Sequence, residues 1–104
     1  MYDRLVTPAV DHRPVDSRAL SRVGAALADA TRCHILARLS AGPAYPADLA
    51  DALGTTRANV SNHLGCLRGL GLVTATPEGR RVSYRLARPE VAEALRALAA
   101  VAMP

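Results

Sequence analysis

Two cysteines and three histidines are the residues of this 104-residue chain best suited to metal or thiol chemistry. His63 and Cys66 stand one helical turn apart, Cys33 is followed by His34, and His12 lies near the N-terminus. Imidazole and thiolate are the donors that a borderline or soft cation prefers, and about four of them close a site. Cys66, His63, Cys33 and His12 are therefore the candidate metal ligands, with Asp3 and Asp11 as nearby oxygen donors. The candidate cofactor is a divalent transition metal or a soft metal ion. Other roles fit the same residues. Cys33, beside Ile35 and Leu36, also suits a small buried position. His63 also suits a helix junction or a phosphate contact. Two cysteines make no disulfide framework, which fits a reducing compartment. No nucleophile–base spacing, Gly-rich phosphate loop or carboxylate pair is present, so an enzyme is not expected.

The second available chemistry is polyanion binding. All thirteen basic residues are Arg, whose planar fork matches phosphate and guanine. The net charge is +4. Between Thr55 and Leu86 stand Arg57, Arg68, Arg80, Arg81 and Arg85 against one acid, Glu78. Elsewhere eight Arg balance eight acids, so this one segment carries the whole excess. That is the electrostatic footprint of a nucleic-acid binder.

The elements that must position these groups are legible in the periodicity. Residues 1–15, with Pro8 and Pro14 and no clear period, read as a flexible arm. Residues 16–104 read as one domain. Asp16 or Ser17 caps a helix carrying Leu20, Val23, Gly24 and Leu27, and Asp29 caps a second with Ile35, Leu36 and Leu39 inside. Pro46 opens a third helix that Gly54 ends. Thr55 or Thr56 caps a fourth that runs to about Leu70. Leu72–Thr76 is a strand, Pro77–Arg80 a turn, and Arg81–Leu86 a second strand. Pro89 opens a last helix with Val91, Ala94, Leu95, Leu98 and Val101 on one face. The fold class expected is mainly α with a small β-hairpin, a winged helix-turn-helix.

On the fourth helix Val60, Leu64 and Leu67 fall together and must face the core. Ala58, Ser61, Asn62 and Gly65 fall opposite. No acid occurs from Thr55 to Leu70, whereas solvated helix faces normally carry both signs of charge. A small, polar, acid-free face suits the major groove of DNA. The candidate DNA contacts are Thr55, Thr56, Arg57, Asn59, Ser61, Asn62, His63 and Arg68, with Arg80 and Arg81 at the hairpin tip. A protein-binding adaptor is the rival class, but it has no need of Arg concentrated on this helix and hairpin. No apolar run approaches the ~20 residues of a membrane span, and the N-terminus lacks a signal-peptide core. A cytoplasmic protein without a membrane partner is expected.

Four collinear pieces, Asp29–Leu39, Asp48–Gly54, Asn59–Val73 and Glu78–Leu86, resemble the ArsR/SmtB family of metalloregulators. The pairing of VSNHLGCLRGLGLV with EGRRVSYRL is specific, and within the family the chain is most similar to the cadmium/lead-sensing branch. The resemblance implies a homodimer formed through the first and last helices. It also implies a repressor of a palindromic operator in double-stranded DNA that an inducer releases; a winged-helix regulator without metal sensing, answering to redox or another effector or acting as an activator, is the alternative. The chain departs from the family at its ligands. Leu70 stands where a second recognition-helix thiolate belongs, and no cysteine follows Cys66. Tyr45 and Ala47 stand where a third-helix site needs Cys. Arg88, Glu90 and Val101 stand where a last-helix zinc site needs Asp and His.

Overall fold

The structure, a computed structural model, describes residues 9–104. Asp3 and the first half of the expected arm lie outside the described residues. From residue 9 to Asp16 the chain forms no helix or strand and is exposed.

Five helices and one hairpin follow: α1 (Ser17–Leu27), α2 (Ala30–Leu39), α3 (Pro46–Leu53), α4 (Arg57–Gly69), β1 (Val73–Glu78), β2 (Arg81–Leu86) and α5 (Pro89–Ala102). Helix starts follow the capping chemistry. The Asp16 carboxylate accepts from the backbone N–H groups of Arg18 and Ala19, and Asp29 accepts from Arg32. Pro46 occupies the first turn of α3, where its missing N–H has no partner to lose. Gly54 ends α3 in the left-handed region at φ 65°, a conformation open to Gly without strain. Thr56 then caps α4, so α3 and α4 are joined by only a few residues.

The core is aliphatic because the chain has no Phe or Trp. Ile35, Leu36 and Leu39 of α2, Leu49 and Ala50 of α3, and Val60, Leu64 and Leu67 of α4 are buried together with Val73 of β1. Each large aliphatic side chain fully buried here stabilises the fold by roughly 1.5–3 kcal/mol. This cluster fixes the angle of α4 against α2 and α3, and so decides which side of α4 faces out.

β1 and β2 pair antiparallel from Val73↔Leu86 to Glu78↔Arg81. The loop is therefore only Gly79 and Arg80, one glycine of positive φ (63°) followed by an ordinary residue. This corrects the expected four-residue turn, which included Pro77 and Glu78. Glu78↔Arg81 closes the loop as a hydrogen-bonded pair, so Pro77↔Val82 falls at a non-hydrogen-bonded position. There the proline nitrogen points out of the ladder, and Pro77 stays in the strand. At the base of the hairpin, Tyr84 exchanges two backbone hydrogen bonds with Ala44, of 3.0 and 2.8 Å. The short bridge ties the hairpin to the segment that leads into α3.

α1 and α5 behave differently from the other helices. α1 buries only Ala26 fully, and Leu20 is 56% exposed. α5 buries no residue; Leu98 is 52% and Val101 86% exposed, while Val91 and Leu95 are half-buried. A groove of about 700 Å³ runs between α2 and α5, lined by apolar side chains including Leu27, Leu36, Leu95 and Leu98. No described helix is long and apolar enough to cross a membrane.

Candidate nucleic-acid interface

α4 presents two sides, as its period predicts. Val60, Leu64 and Leu67 are fully buried, and Arg57, Ala58, Ser61, Asn62, Gly65 and Arg68 are exposed. Its N-terminus is built by three of the residues expected to touch DNA. Thr56 Oγ1 accepts from the Asn59 backbone N–H at 3.1 Å, and Asn59 Nδ2 donates to Thr55 Oγ1 at 3.0 Å. Thr55 and Asn59 are half-buried and tied to each other; their side chains set the start of the helix. The exposed reading face is then narrower than the sequence implied, with Arg57, Ser61 and Asn62 at its centre.

The hairpin brings its arginines to that face. Arg57 and Ser61 of α4 share a concave surface of about 310 Å³ with Arg80, Arg81, Val82 and Tyr84 of the hairpin and with Tyr45 ahead of α3. Three guanidinium groups from α4 and the hairpin, with the Ser61 hydroxyl beside them, thus converge on one concavity. That chemistry suits a phosphodiester backbone passing between helix and hairpin. Arg68 lies exposed at the far end of α4, outside this concavity.

Arg80 and Arg81 differ in their surroundings. The Arg81 guanidinium lies over the Tyr45 ring, 3.5 Å from its centroid, and its Nη2 is 3.8 Å from Asp48 Oδ2. Tyr45 Oη donates to Glu78 Oε1 at 2.6 Å. That bond to a carboxylate pushes the Tyr45 phenol above its ordinary pKa, so the proton stays in place. Tyr45, Asp48 and Glu78 were not among the binding residues expected from the sequence. Tyr45 directly before Pro46 was the one local signal for them.

His63 lies on the inner flank of α4 with its side chain 16% exposed. Its Nδ1 is 3.4 Å from Arg32 Nη1, and its Nε2 is 4.0 Å from Asp29 Oδ1. A guanidinium only donates, so Nδ1 accepts and the ring proton of the neutral form sits on Nε2, toward Asp29. Arg32 also donates to the carbonyls of Ala26 and Ala25 at 2.9 and 3.1 Å. It therefore staples the end of α1, the start of α2 and the flank of α4. The Arg32 backbone N–H, with the nearby His63 and Arg32 charges, holds the Asp29 carboxyl below the usual carboxylate range. Of the two readings open for His63 besides metal ligation, the helix junction matches this placement.

The candidate metal ligands are not brought together in one chain. Cys33 Sγ donates to the Leu27 carbonyl at 3.1 Å, at the junction of α1 and α2. Cys66 is exposed on α4, and His12 is exposed ahead of α1. Among the described residues, no group of three or more His, Cys, Asp or Glu is placed to hold an ion. Leu70, half-buried against the core, stands where a second thiolate on α4 would be needed. The described donors of one protomer do not fit a closed metal site.

Ser61→Ala and Asn62→Ala test the exposed face directly. Each should reduce discrimination between a selected operator duplex and mixed-sequence DNA by about tenfold, while mixed-sequence affinity changes little. Competition binding with both duplexes reads this. Equal losses on both would show that these side chains hold only phosphates.

A helix-turn-helix domain model matches residues 27–75 of the chain. The HTH-type transcriptional regulator CmtR of Mycobacterium tuberculosis is 59% identical over 85 residues, covering 82% of this chain and 72% of that protein. The NMR structure of the cadmium metal-sensor CmtR of M. tuberculosis superposes with a TM-score of 0.67 at 57% identity, over 81% of this chain and 88% of that one. A homodimeric winged helix-turn-helix DNA-binding domain of Mycobacterium bovis, a possible ArsR-family regulator, superposes with a TM-score of 0.78 at 36% identity. That match spans 83% of this chain and 80% of the other. With these relatives, this order of elements and this exposed α4, the chain belongs to the ArsR/SmtB family of winged helix-turn-helix transcriptional regulators.

Proposed function

We infer that this regulator works as a homodimer that binds a palindromic operator and represses transcription from it in the cytoplasm. The observation that carries the DNA reading is the meeting of Arg57 and Ser61 with Arg80 and Arg81 in one concave, Arg-rich surface. On α4 itself, the exposed face adds no acid to it. Ser61 and Asn62 on that face read base edges in the major groove, while Arg57 and Arg80 set the register on phosphates. Arg68 adds a further phosphate contact toward the end of α4. The exposed apolar faces of α1 and α5 support the dimer: Leu20, Leu98 and Val101 are each more than half exposed among the described residues. The M. bovis relative is itself homodimeric. A two-fold axis through these helices would place the two α4 helices in successive major grooves, about 34 Å apart.

The cadmium response is that of the M. tuberculosis relative. In this chain a divalent or soft metal ion would enter as effector through donors shared between two protomers, since the described residues of one protomer gather no set of three. Cys66, exposed on α4, is one donor open to such sharing. A metal bound there would be a charge beside the DNA-reading helix.

Titrating duplex DNA at rising salt tests the reading. The logarithm of affinity should fall against the logarithm of salt with a slope of about −5 or steeper. Fluorescence anisotropy with a labelled duplex measures it. A protein-binding adaptor built on the same fold would show no such dependence, and a flat response would overturn the DNA reading.

A further inference from the structure

We propose that Tyr45 is the positioning residue of the wing, gripping both side chains of its closing pair so that Arg81 serves as a strut and Arg80 is the cation presented to phosphate. The proposal deepens the DNA-binding reading and rests on it.

A two-stranded ribbon is marginal by itself and needs to be held. The base of this one is held by the Ala44–Tyr84 backbone bridge. Arg81 lies three residues further out, about 10 Å along the strand. Every residue from Thr76 to Val82 is exposed, so no buried side chain anchors the tip in the core. Glu78 and Arg81 are register partners flanking the Gly79–Arg80 loop. Tyr45 takes hold of both: its hydroxyl donates to Glu78 at 2.6 Å, and its ring carries the Arg81 guanidinium at 3.5 Å. Asp48 Oδ2, in the first turn of α3, stands 3.8 Å from Arg81 Nη2. The ring lies directly ahead of Pro46, whose restricted backbone keeps Tyr45 extended, and Ala44 on its other side is fixed by the bridge. Tyr45 is therefore a rigid post, and the wing tip is strapped to it at two points.

The strap sorts the charges of the wing. Glu78 is the one acid between Thr55 and Leu86, and Tyr45 holds its carboxylate on the α3 side. Arg81 is matched by Asp48 and by the ring. Arg80, at the loop, makes no ion pair among the described residues and lines the concavity that it shares with Arg57 and Ser61. Tyr45, at the edge of the same concavity, thereby decides through the wing tip how many phosphates the wing reaches.

The test has two arms on the full chain. In the free protein, the Arg81 δ-methylene protons should be shifted upfield by the Tyr45 ring. Tyr45→Phe should keep that shift and Tyr45→Leu should abolish it. A wild-type protein without the shift overturns the proposal whatever happens with DNA. The second arm measures the salt slope on a labelled mixed-sequence duplex. Arg80→Gln should reduce the slope by about one for each phosphate left without its guanidinium. Tyr45→Leu removes no charge, yet should weaken binding about tenfold and reduce the slope as much as Arg80→Gln does. The double variant should be no flatter than either single one. Tyr45→Phe, which keeps the ring and frees only Glu78, should fall between wild type and Tyr45→Leu and covers the case in which Leu does not fold. An unchanged slope in both Tyr45 variants overturns the proposal while the DNA reading stands. So does a further drop when Arg81→Gln is added to Tyr45→Leu, because Arg81 would then be touching phosphate itself. A wild-type protein with no salt-dependent binding overturns the DNA reading and the proposal with it.

Discussion

Leu98→Glu is expected to convert the dimer into a folded monomer and to weaken duplex binding about a thousandfold. The expectation rests on where Leu98 sits. It is 52% exposed on α5, a helix with no fully buried residue, and it lies in line with Val101, which is 86% exposed. A protomer that left this face in water would forgo roughly 1.5–3 kcal/mol for each large aliphatic side chain it fails to bury. In a two-fold interface, each substitution is made twice, so the new carboxylates enter an apolar seam from both sides. The core cluster of α2, α3 and α4 does not include Leu98, so the monomer should keep its helices. The binding loss follows from bivalency. Two linked reading heads gain about a hundredfold to ten-thousandfold over one, without any new contact. Sedimentation equilibrium gives the mass, and circular dichroism verifies the fold. A variant that keeps the dimer mass would remove this face of α5 from the interface.

Arg57→Ala combined with Arg80→Ala should cost on the order of a thousandfold in duplex affinity near physiological salt and flatten the salt slope by about four. Each protomer loses two guanidinium groups from the shared concavity, and the dimer loses four. Each neutralised phosphate contributes about 0.9 to the slope, so slope and affinity must fall together. That coupling separates unneutralised phosphates from a damaged fold, which would lower affinity through the active fraction and leave the slope unchanged. Neither residue belongs to the core cluster, and both are exposed. A slope that stays at the wild-type value would place the DNA on a surface other than the one formed by α4 and the wing.

Much of this architecture is readable in the chain because its signals are local. Asp16, Asp29 and Thr56 cap helices, as their short polar side chains favour, and Pro46 and Gly54 bracket α3. The period of Val60, Leu64 and Leu67 is enough to divide α4 into an inner and an outer face. The hairpin is placed correctly in outline by its residues and wrongly in its loop. Proline is a poor strand residue only where its nitrogen must donate, and the pairing register decides that. The helix faces of α1 and α5 are legible as apolar, and the described residues leave Leu20, Leu98 and Val101 on them exposed.

The arginines mark the boundary between the two kinds of knowledge. By itself, the sequence determined that an excess of guanidinium groups follows α3, that one side of α4 is small and acid-free, and that the thiolates of the family's usual metal sites are incomplete. Composition and period suffice for the first two because they depend on residues a few positions apart, and the third follows from the family resemblance. Only the tertiary structure decided that Arg80 and Arg81 are different residues in effect. Tyr45 is 33 positions from Glu78, and Arg32 is 31 positions from His63. Partners that far apart leave no periodic trace, since they meet only after the aliphatic core has set the angles between α2, α3, α4 and the wing. The type of each side chain was therefore written in the sequence, and its task was assigned by what the fold set beside it.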